Sequence, residues 1–322
     1  MNQLPLISVI IPCYNQAHFL RDAIESVLAQ THSHIQILVV DDGSVDNTAE
    51  VAALYQEVCC LRQENQGRSR ARNAGFHASG GEYVLFLDAD DRLTPNAVEA
   101  HLSCFAKHPE AGFVVGDIDL ISKDGSYLRS PRWPMLEANH YEELLKVNHV
   151  ANTIAVMFRR SVIERVGGFK SWCSPAEDYE ILLRAARLFP SAHHRAVVAQ
   201  YRRHDANTSR NGSLMLRTMH KVMQSQVSFV NANCNLKAAH RKGELTWRDH
   251  FGLATIGEIC TLLVHCEPWR AAKAFADLLR YVRGRLFLLP WKHRHRLLNE
   301  VRRRFSAPPK QADCHASNVA RD

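Results

Sequence analysis

The first 120 residues alternate between short apolar runs and segments with the periodicity of amphipathic helices. Three of the runs, LISVIIPCYN, IQILVVDDGS and EYVLFLDADD, are almost continuously hydrophobic until they reach a polar end. Strands of this kind are buried on both faces, which happens when helices cover a mostly parallel sheet. The alternation therefore predicts an α/β fold with a mostly parallel sheet and helices on both faces.

The segments between these runs have the pattern of helices. In HFLRDAIESVLAQ the apolar residues fall on one helical face: Phe19, Leu20, Ala23, Ile24, Val27 and Leu28. After the third run, Thr94 and Pro95 fit the N-cap and the first position of a further helix. The apolar segments CCLRQEN and GFVVGDIDLI predict two more strands.

Each of the three apolar runs ends in a polar cluster. These clusters are PCYN at 12–15, DDGS at 41–44 and DADD at 88–91. In parallel sheets, ligands bind beyond the carboxyl ends of the strands. We therefore expect the three clusters to gather along one rim of the sheet and to form a ligand site there.

The densest of these clusters contains Asp88, Asp90 and Asp91. Like charges at this spacing repel each other unless a cation lies between them, and hard divalent ions prefer oxygen ligands. The cluster predicts a Mg²⁺ or Mn²⁺ site shared with substrate phosphates; the alternative is a solvated acidic turn before a helix. Asp41 and Asp42 are suited to bind a base or ribose hydroxyls, and the alternative for them is an Asp-Gly turn.

Charge is distributed unevenly along the chain. Residues 1–205 hold 20 Lys+Arg against 25 Asp+Glu, a net charge of −5, whereas residues 206–322 hold 20 against 8, a net charge of +12. Nine cysteines without a CxxC pair argue against a disulfide framework. Neither an export signal nor an apolar run of about 18 residues is visible. These features predict a cytoplasmic protein whose C-terminal part meets an anionic partner.

Five segments occur in the order found in family 2 glycosyltransferases, which this sequence resembles over roughly residues 6–205. They are SVIIPCYNQAHFLRDAIESVLAQT, VVDDGSVDNT, NQGRSRARNAG, GEYVLFLDADD and GGFKSWCSPAEDYEILLRAAR. The resemblance implies the GT-A fold, which joins a Rossmann-like nucleotide-binding half to an acceptor half. It also implies a metal-dependent, inverting transferase. Its donor would be a nucleotide-diphospho-sugar, with UDP as the expected nucleotide, and its acceptor a glycan or a lipid-linked molecule.

The resemblance, together with the argument for Asp41, also assigns roles to individual positions. Nucleotide contacts are expected at Pro12, Tyr14, Asn15, Asp41, Asp42, Gly67, Arg72, Asn73 and Asp88. Asp90 and Asp88 are the expected metal ligands, and His204 in YRRHDANTS completes the metal shell. The alternatives for this last loop are a phosphate clamp formed by Arg202 and Arg203, or a surface loop without a ligand.

Transfer of a sugar also requires a carboxylate that takes the proton of the incoming hydroxyl group. The resemblance implies that Asp178 in AEDYE is this general base, and Glu177 is the alternative. On the donor side, Mn²⁺ or Mg²⁺ neutralises the charge of the departing diphosphate. The sequence departs from the family pattern after GGF, where Lys170 and Ser171 replace the usual acid. This departure concerns the acceptor side of the site.

We predict three parts along the chain. A GT-A domain covers 1–205, with a nucleotide-binding half over about 1–120 and an acceptor half over about 121–205. A basic helical extension covers 206–306, and a disordered tail covers 307–322. Trp269 and Trp291 beside many basic residues predict peripheral binding to the anionic cytoplasmic face of a membrane. The alternative is a helical bundle that covers the core, and no nucleic acid is expected because an aromatic-basic platform motif is missing.

Two other functions fit parts of the sequence. A catalytically silent protein with the same fold would bind the nucleotide-sugar only, and a phosphohydrolase would use a DxD pair after a strand. The intact pair of Asp90 and Asp178 favours an active transferase over the silent protein. The phosphohydrolase motif usually follows the first strand, whereas here DADD follows a middle strand.

Overall fold

The structure is a computed structural model in which residues 4–135, 139–150, 152–204 and 211–282 are described. The chain divides into two compact units. Unit 1 comprises Met1–Arg210 and Arg217–Arg248, and unit 2 comprises Asn211–Leu216 and Asp249–Asp322. The predicted domain boundaries near 205 and 306 stay predictions. Residues 283–322, which include Trp291 and the segment predicted to be disordered, lie outside the described residues.

The strands of the described residues belong to one sheet. They are β1 (Ile7–Cys13), β2 (Ile35–Asp41), β3 (Val58–Arg62), β4 (Tyr83–Phe86), β5 (Arg92–Leu93), β6 (Phe113–Ile121), β7 (Tyr127–Arg129), β8 (Val156–Arg159) and β9 (Ser191–Arg202). The order is β3-β2-β1-β4-β8-β6-β9-β5, and β7 pairs with β6. The neighbours from β3 to β4 are parallel, as are β6 and β9, whereas β8 is antiparallel to β4 and β6. The predicted α/β fold with a mostly parallel sheet is confirmed.

Helices surround this sheet and continue beyond it along the chain. Before the last strand they are α1 (Ala17–Leu28), α2 (Thr48–Ala53), α3 (Arg68–Ala78), α4 (Ala97–Lys107), α5 (His140–Lys146), α6 (Arg160–Val166) and α7 (Glu177–Leu188), with short 3₁₀ helices at Thr153–Ala155 and Ser171–Cys173. The C-terminal helices are α8 (Gly212–Ser225), α9 (Val227–Val230), α10 (Cys234–Val264) and α11 (Pro268–Val282). Within the described ranges, no helix combines the length and the apolar character that crossing a bilayer requires.

The core of unit 1 forms around β1, of which all 7 residues are buried. Helix α1 buries the predicted apolar face except for Leu28, its last residue, which is 41% exposed. Helix α3 packs directly on the sheet, since a Cβ atom at Gly75 would come within 2.5 Å of Ile10 Cγ2. This close packing brings the side chain of Arg72 to the carboxyl ends of the strands.

The helix predicted to begin at Thr94 and Pro95 begins instead at Ala97. Arg92 and Leu93 pair with β9 as strand β5. The hydroxyl group of Thr94 donates to the carbonyl oxygen of Val197 at 2.6 Å. Thr94 therefore fastens this turn to β9 and does not cap a helix, so the N-cap prediction was wrong.

Five histidines collect around the start of β9. The Nε2 atom of His194 forms a hydrogen bond with Nδ1 of His101 at 3.0 Å, and the ring centroids of His140 and His193 are 6.1 Å apart. Burial lowers the pKa of His193 to about 3, and the charges of neighbouring histidines act in the same direction. Burial also lowers the pKa values of the other members, His149 included. The cluster is therefore neutral in the folded chain at pH 7.

We expect His193→Gln to reduce the loss of stability on acidification. In the folded chain His193 stays neutral down to about pH 3, whereas in the unfolded chain it binds a proton near pH 6.5. The stability that depends on this neutral ring is thus present above pH 6.5 and is lost as the pH falls towards 3. Between pH 6.5 and 5, urea unfolding should show that the wild type loses roughly 2 kcal/mol more free energy of unfolding than the variant.

The exposed His77 on α3 provides the matched control. His77→Gln should keep the pH dependence of the wild type. Equal losses in the wild type and in His193→Gln would contradict this account of the cluster.

Candidate functional site

The three polar clusters lie at one edge of the sheet, as predicted. Cys13 of β1 is paired with Asp41 of β2, and Ile10 of β1 is paired with Phe86 of β4. The parallel direction of these strands brings the residues that follow them to the same edge. The backbone NH of Asp42 donates to the carbonyl oxygen of Cys13 at 2.9 Å, which ties two of the clusters together.

The carboxylates of Asp41 and Asp42 are buried and organise the loops around them. The Oδ1 atom of Asp41 accepts from the backbone NH of Ser44 at 2.8 Å. Asp42 accepts from the backbone NH groups of Gln66 and Gly67 at 3.0 and 2.8 Å. Asp41 therefore fixes its own turn and Asp42 fixes the segment in front of α3, and their predicted contacts with a base or ribose stay predictions.

The other predicted nucleotide-side residues surround these loops. Pro12 is buried in β1, and the side chain of Tyr14 is exposed beyond it. Asn15 has a left-handed φ of 53° and its Oδ1 atom accepts from Val45 NH at 2.9 Å. Gly67 precedes α3 with φ 84°, and a Cβ atom there would meet no other atom within 4 Å. The open space at Gly67 leaves room for a ligand beside the α3 N-terminus.

Arg72 of α3 is completely buried and binds three carboxylates. Its Nη2 atom donates to Asp88 Oδ1 at 2.7 Å, and its Nη1 atom donates to Asp178 Oδ1 at 2.6 Å. Glu177 Oε1 lies 3.4 Å from the same Nη1 atom. The guanidinium group thus joins the end of β4 to the first turn of α7. Its predicted contact with a nucleotide stays a prediction.

Asn73 is likewise used inside the protein. Its Nδ2 atom donates to the carbonyl oxygen of Phe169 at 2.9 Å, and its Oδ1 atom accepts from Phe169 NH at 2.8 Å. These two bonds hold α3 against the glycine turn that follows α6. The predicted nucleotide contact of Asn73 stays a prediction as well.

The two candidate bases differ in their surroundings. Glu177 is 1% exposed and pairs with Arg68 and Arg72. Burial raises the pKa of Glu177, partly offset by the charge of Arg68. The side chain of Asp178 is 21% exposed, and its Oδ1 atom also accepts from Thr153 Oγ1 at 3.3 Å. Of the two acids, Asp178 is the one that solvent or a substrate reaches.

The acidic cluster after β4 is compact. One carboxylate oxygen from each of Asp88, Asp90 and Asp91 lies within 4.8 Å of the others. His204 Nε2 lies 2.8 Å from Asp90 Oδ2, so the predicted neighbours Asp90 and His204 are together. Asp91 Oδ2 is buried and has no hydrogen-bond partner among the described residues. Asp91 was not among the predicted metal ligands, although its place in DADD was a signal for it.

The electrostatics of this cluster fit a divalent cation. Burial raises the pKa of Asp90, and the negative charge of Asp88 raises it further. Burial and the charges of the two neighbouring acids hold the pKa of Asp91 well above its usual range. Burial also acts to raise the pKa of Asp88, but the charges of Arg72 and Arg68 outweigh it, and the net shift is downward. A hard cation would relieve this repulsion, so these oxygen donors fit Mg²⁺ or Mn²⁺.

Arg202 holds the acidic turn from the side of β9. Its side chain is 2% exposed, and its Nε atom donates to the carbonyl oxygen of Asp90 at 2.7 Å. Its backbone NH donates to Asp91 Oδ1, and its Nη2 donates to Asp22 Oδ2, both at 2.7 Å. The guanidinium group thus binds the turn, and the alternative that assigned Arg202 to a substrate phosphate stays a prediction. Its neighbour Arg203 is exposed.

Comparison with known proteins places these residues in a family context. The sequence model described as Glycosyl transferase family 2 matches residues 8–167. An uncharacterized glycosyltransferase of Nostoc sp. is 39% identical over 170 residues, which cover 50% of this chain and 52% of that protein. An uncharacterized glycosyltransferase of Rickettsia typhi is 30% identical over 210 residues, which cover 64% and 66%. A putative teichuronic acid biosynthesis glycosyltransferase of Bacillus subtilis is 32% identical over 168 residues, covering 49% and 64%.

These alignments span between about half and two thirds of the length of the three relatives. Among solved structures, S. aureus TarS 1–349 in complex with UDP-GlcNAc has a TM-score of 0.64 at 17% identity, covering 93% of this chain and 89% of that one. The mannosyltransferase PcManGT from Pyrobaculum calidifontis, in complex with GDP-Man and Mn²⁺, has a TM-score of 0.61 at 16% identity, covering 94% and 85%. At these identities the similarity shows the fold.

We expect Arg202→Lys to destabilise the protein by about 2–4 kcal/mol. A lysine has one ammonium group and cannot reach the Asp90 carbonyl, the Lys123 carbonyl and Asp22 together, as the guanidinium group does. Urea unfolding of the full chain measures the loss. Arg203→Lys, at the exposed neighbouring position, is the control and should change stability by less than about 0.5 kcal/mol. Equal stabilities of the two variants would refute the structural role of Arg202.

Proposed function

Through residues 8–167 this chain belongs to glycosyl transferase family 2, and from that membership we propose that it is a metal-dependent, inverting glycosyltransferase. Its donor is a nucleotide-diphospho-sugar, with UDP as the favoured nucleotide, and its acceptor is a hydroxyl group of a glycan or lipid-linked molecule. The observation that carries the proposal is the Arg72 bridge between Asp88 and Asp178. One buried guanidinium group connects the acidic cluster to the only candidate base that is accessible within AEDYE.

On the donor side, Asp90 and Asp88 would hold Mn²⁺ or Mg²⁺, and His204 would orient Asp90 or join the metal shell. A bound divalent ion supplies neutralisation of the negative charge that develops on the leaving diphosphate. The loops that Asp41 and Asp42 organise would receive the base and ribose. The complexes of the structural neighbours with UDP-GlcNAc and GDP-Man support a nucleotide-sugar donor here.

On the acceptor side, Asp178 is the general base of the proposed reaction. Its accessibility supports this choice over Glu177, whose carboxylate is engaged by Arg68 and Arg72. Asp178 takes the proton of the acceptor hydroxyl as that oxygen attacks the sugar C1 from the face opposite to the diphosphate. A single displacement of this kind inverts the anomeric centre. The family match across the DADD segment also speaks against the phosphohydrolase alternative.

We expect two variants to separate binding from chemistry. With MnCl₂ present, UDP should raise the melting temperature of the wild type and of Asp178→Asn, but not of Asp90→Asn, because Asp90 holds the metal-diphosphate. In a panel of UDP-GlcNAc, UDP-glucose, UDP-galactose and GDP-mannose, the wild type should release the nucleoside diphosphate from at least one donor. Asp178→Asn should lower that rate about 10²–10⁴-fold, since the base is lost.

Asp124→Asn is the matched control, because Asp124 is an exposed acid in the turn after β6. It should preserve both the UDP-dependent stabilisation and the release rate. A protein that binds UDP but releases nothing from any donor is the silent alternative. Wild-type release by Asp178→Asn would disprove its assignment as the base.

We further propose that unit 2 binds an anionic membrane surface on the cytoplasmic side. Helix α11 buries Ala271, Ala274, Leu278 and Val282 on one face. Near its start Trp269 is 87% exposed, and Arg270 and Lys273 are exposed beside it. A tryptophan surrounded by basic residues is the composition of an interfacial helix. Such binding suits an acceptor that is itself linked to a lipid.

Trp269→Ser should weaken co-sedimentation with phosphatidylglycerol-rich vesicles by at least about fivefold, because it removes the exposed aromatic anchor. Leu54→Ser, at an exposed apolar position of unit 1, serves as the control and should bind like the wild type. Absence of wild-type binding at low salt would eliminate the membrane proposal. That outcome would leave the transferase proposal intact.

A further inference from the structure

Two donors bind the same oxygen atom of Asp178. Arg72 Nη1 donates to Oδ1 at 2.6 Å, and Thr153 Oγ1 donates to Oδ1 at 3.3 Å. Within the described residues, Oδ2 has no protein hydrogen bond, and the side chain is partly exposed. The two oxygen atoms of this carboxylate therefore differ: one is bound inside the protein and the other is available.

Thr153 is placed for this contact by its own backbone. It opens the 3₁₀ helix Thr153–Ala155, and Asn152 caps that helix by accepting from Ile154 NH at 3.0 Å. The side chain of Thr153 is completely buried. A buried hydroxyl group needs an acceptor, and a β-branched side chain has few rotamers through which to find another one. The direction of the Thr153 hydrogen bond is thus fixed by the fold.

Arg72 is held equally firmly on its other side. Its Nη2 atom donates to Asp88, and its guanidinium carbon lies 5.0 Å from the centre of the Phe169 ring. Because the group is fully buried, it cannot turn towards solvent without losing charged partners. Asp178 Oδ1 therefore meets two donors that hold fixed positions.

We propose that Thr153 and Arg72 are positioning residues that reserve Asp178 Oδ2 as the atom that takes the acceptor proton. This inference rests on the proposed function, in which Asp178 is the general base. The acceptor O–H bond breaks, and its proton bonds to Oδ2. The acceptor oxygen uses its electron pair to bond to the sugar C1, while the bond from C1 to the diphosphate oxygen breaks and its electron pair leaves with the nucleoside diphosphate.

The arrangement suits the carboxyl group both before and after this transfer. Once Oδ2 carries the proton, Oδ1 is the carbonyl oxygen and still accepts from Arg72 and Thr153. Neither donor has to move during the reaction, so the site needs little reorganisation at the moment of transfer. A base whose proton-accepting atom is fixed in this way also selects the direction from which a hydroxyl group approaches.

Thr153→Val tests the proposal, because it removes the hydroxyl group and keeps the buried shape. It should lower the turnover number about five- to tenfold with the donor that the panel identifies. The KM for that donor and the stabilisation by UDP with MnCl₂ should stay as in the wild type. Thr153→Ser restores the donor and should recover most of the turnover. Arg72→Lys, which loses the fork geometry but keeps a charge, should reduce turnover more strongly.

Thr255→Val is the matched control. Thr255 is also completely buried, and its hydroxyl group donates to the carbonyl oxygen of Phe251 in its own helix. It should change the melting temperature about as much as Thr153→Val does and leave turnover unchanged. A loss of turnover that merely follows stability would appear in both variants and would overturn the positioning role.

A double-mutant cycle separates this inference from the proposed function. If Thr153 acts through Asp178, then adding Thr153→Val to Asp178→Asn should cost less than about twofold in the residual rate. The same five- to tenfold cost in both backgrounds would refute the positioning role while Asp178 remained the base. Wild-type activity of Asp178→Asn alone, or no release from any donor, would instead refute the proposed function and this inference with it.

Discussion

The guanidinium group of Arg72 lies fully buried among three carboxylates, and the geometry of the site depends on this arrangement. A buried arginine stays charged, so the protein must supply enough negative charge and enough hydrogen-bond acceptors around it. The burial and the opposing charges together raise rather than lower the pKa of Arg72, with the charges of Asp178 and Asp88 overcoming desolvation. Because Asp88 follows β4 and Asp178 lies in the first turn of α7, both elements must meet α3 at fixed positions. The contacts that neutralise Arg72 therefore also bring the candidate base Asp178 near the candidate metal site that contains Asp88.

Arg202 is a second buried arginine, and it binds the other side of the acidic turn. Three aspartates in four residues would repel each other in an unsupported loop, but here each belongs to a different network. Asp88 pairs with Arg72, Asp90 contacts His204, and Asp91 accepts from the backbone NH of Arg202. Arg72 holds the Asp88 carboxylate and Arg202 holds the backbone of the turn, while the repulsion appears as raised pKa values of Asp90 and Asp91. Carboxylates that the protein holds close together despite their mutual repulsion can bind a cation.

The sequence predicted the strand ends well because their signal is local. A continuous apolar run that stops at polar residues marks the end of a buried strand, and parallel pairing then gathers those ends.

The partners of Arg72 were harder to predict, since Asp88 is 16 residues away and Asp178 is 106 residues away. No local period indicates such pairs. The N-cap prediction at Thr94 was wrong for the same reason. The hydroxyl group of Thr94 binds the carbonyl oxygen of Val197, which lies 103 residues further along the chain and has no local signal. The histidine cluster around β9 also joins residues far apart in the chain, and no local spacing predicts it.

The sequence alone does not distinguish Glu177 from Asp178 as the accessible acid, whereas the helix geometry does. The two acids are neighbours in the first turn of α7, where successive side chains point about 100° apart. Glu177 faces the interior while Asp178 is partly exposed, and Arg68 and Arg72 stabilise the interior acid.

Lys170 lies in the turn before α7, at a place where the family pattern has an acid. Its Nζ atom donates to the carbonyl oxygen of Gly167, and its own carbonyl oxygen accepts from the Ser69 hydroxyl group. The turn thus keeps a connection to α3 through the backbone carbonyl of Lys170.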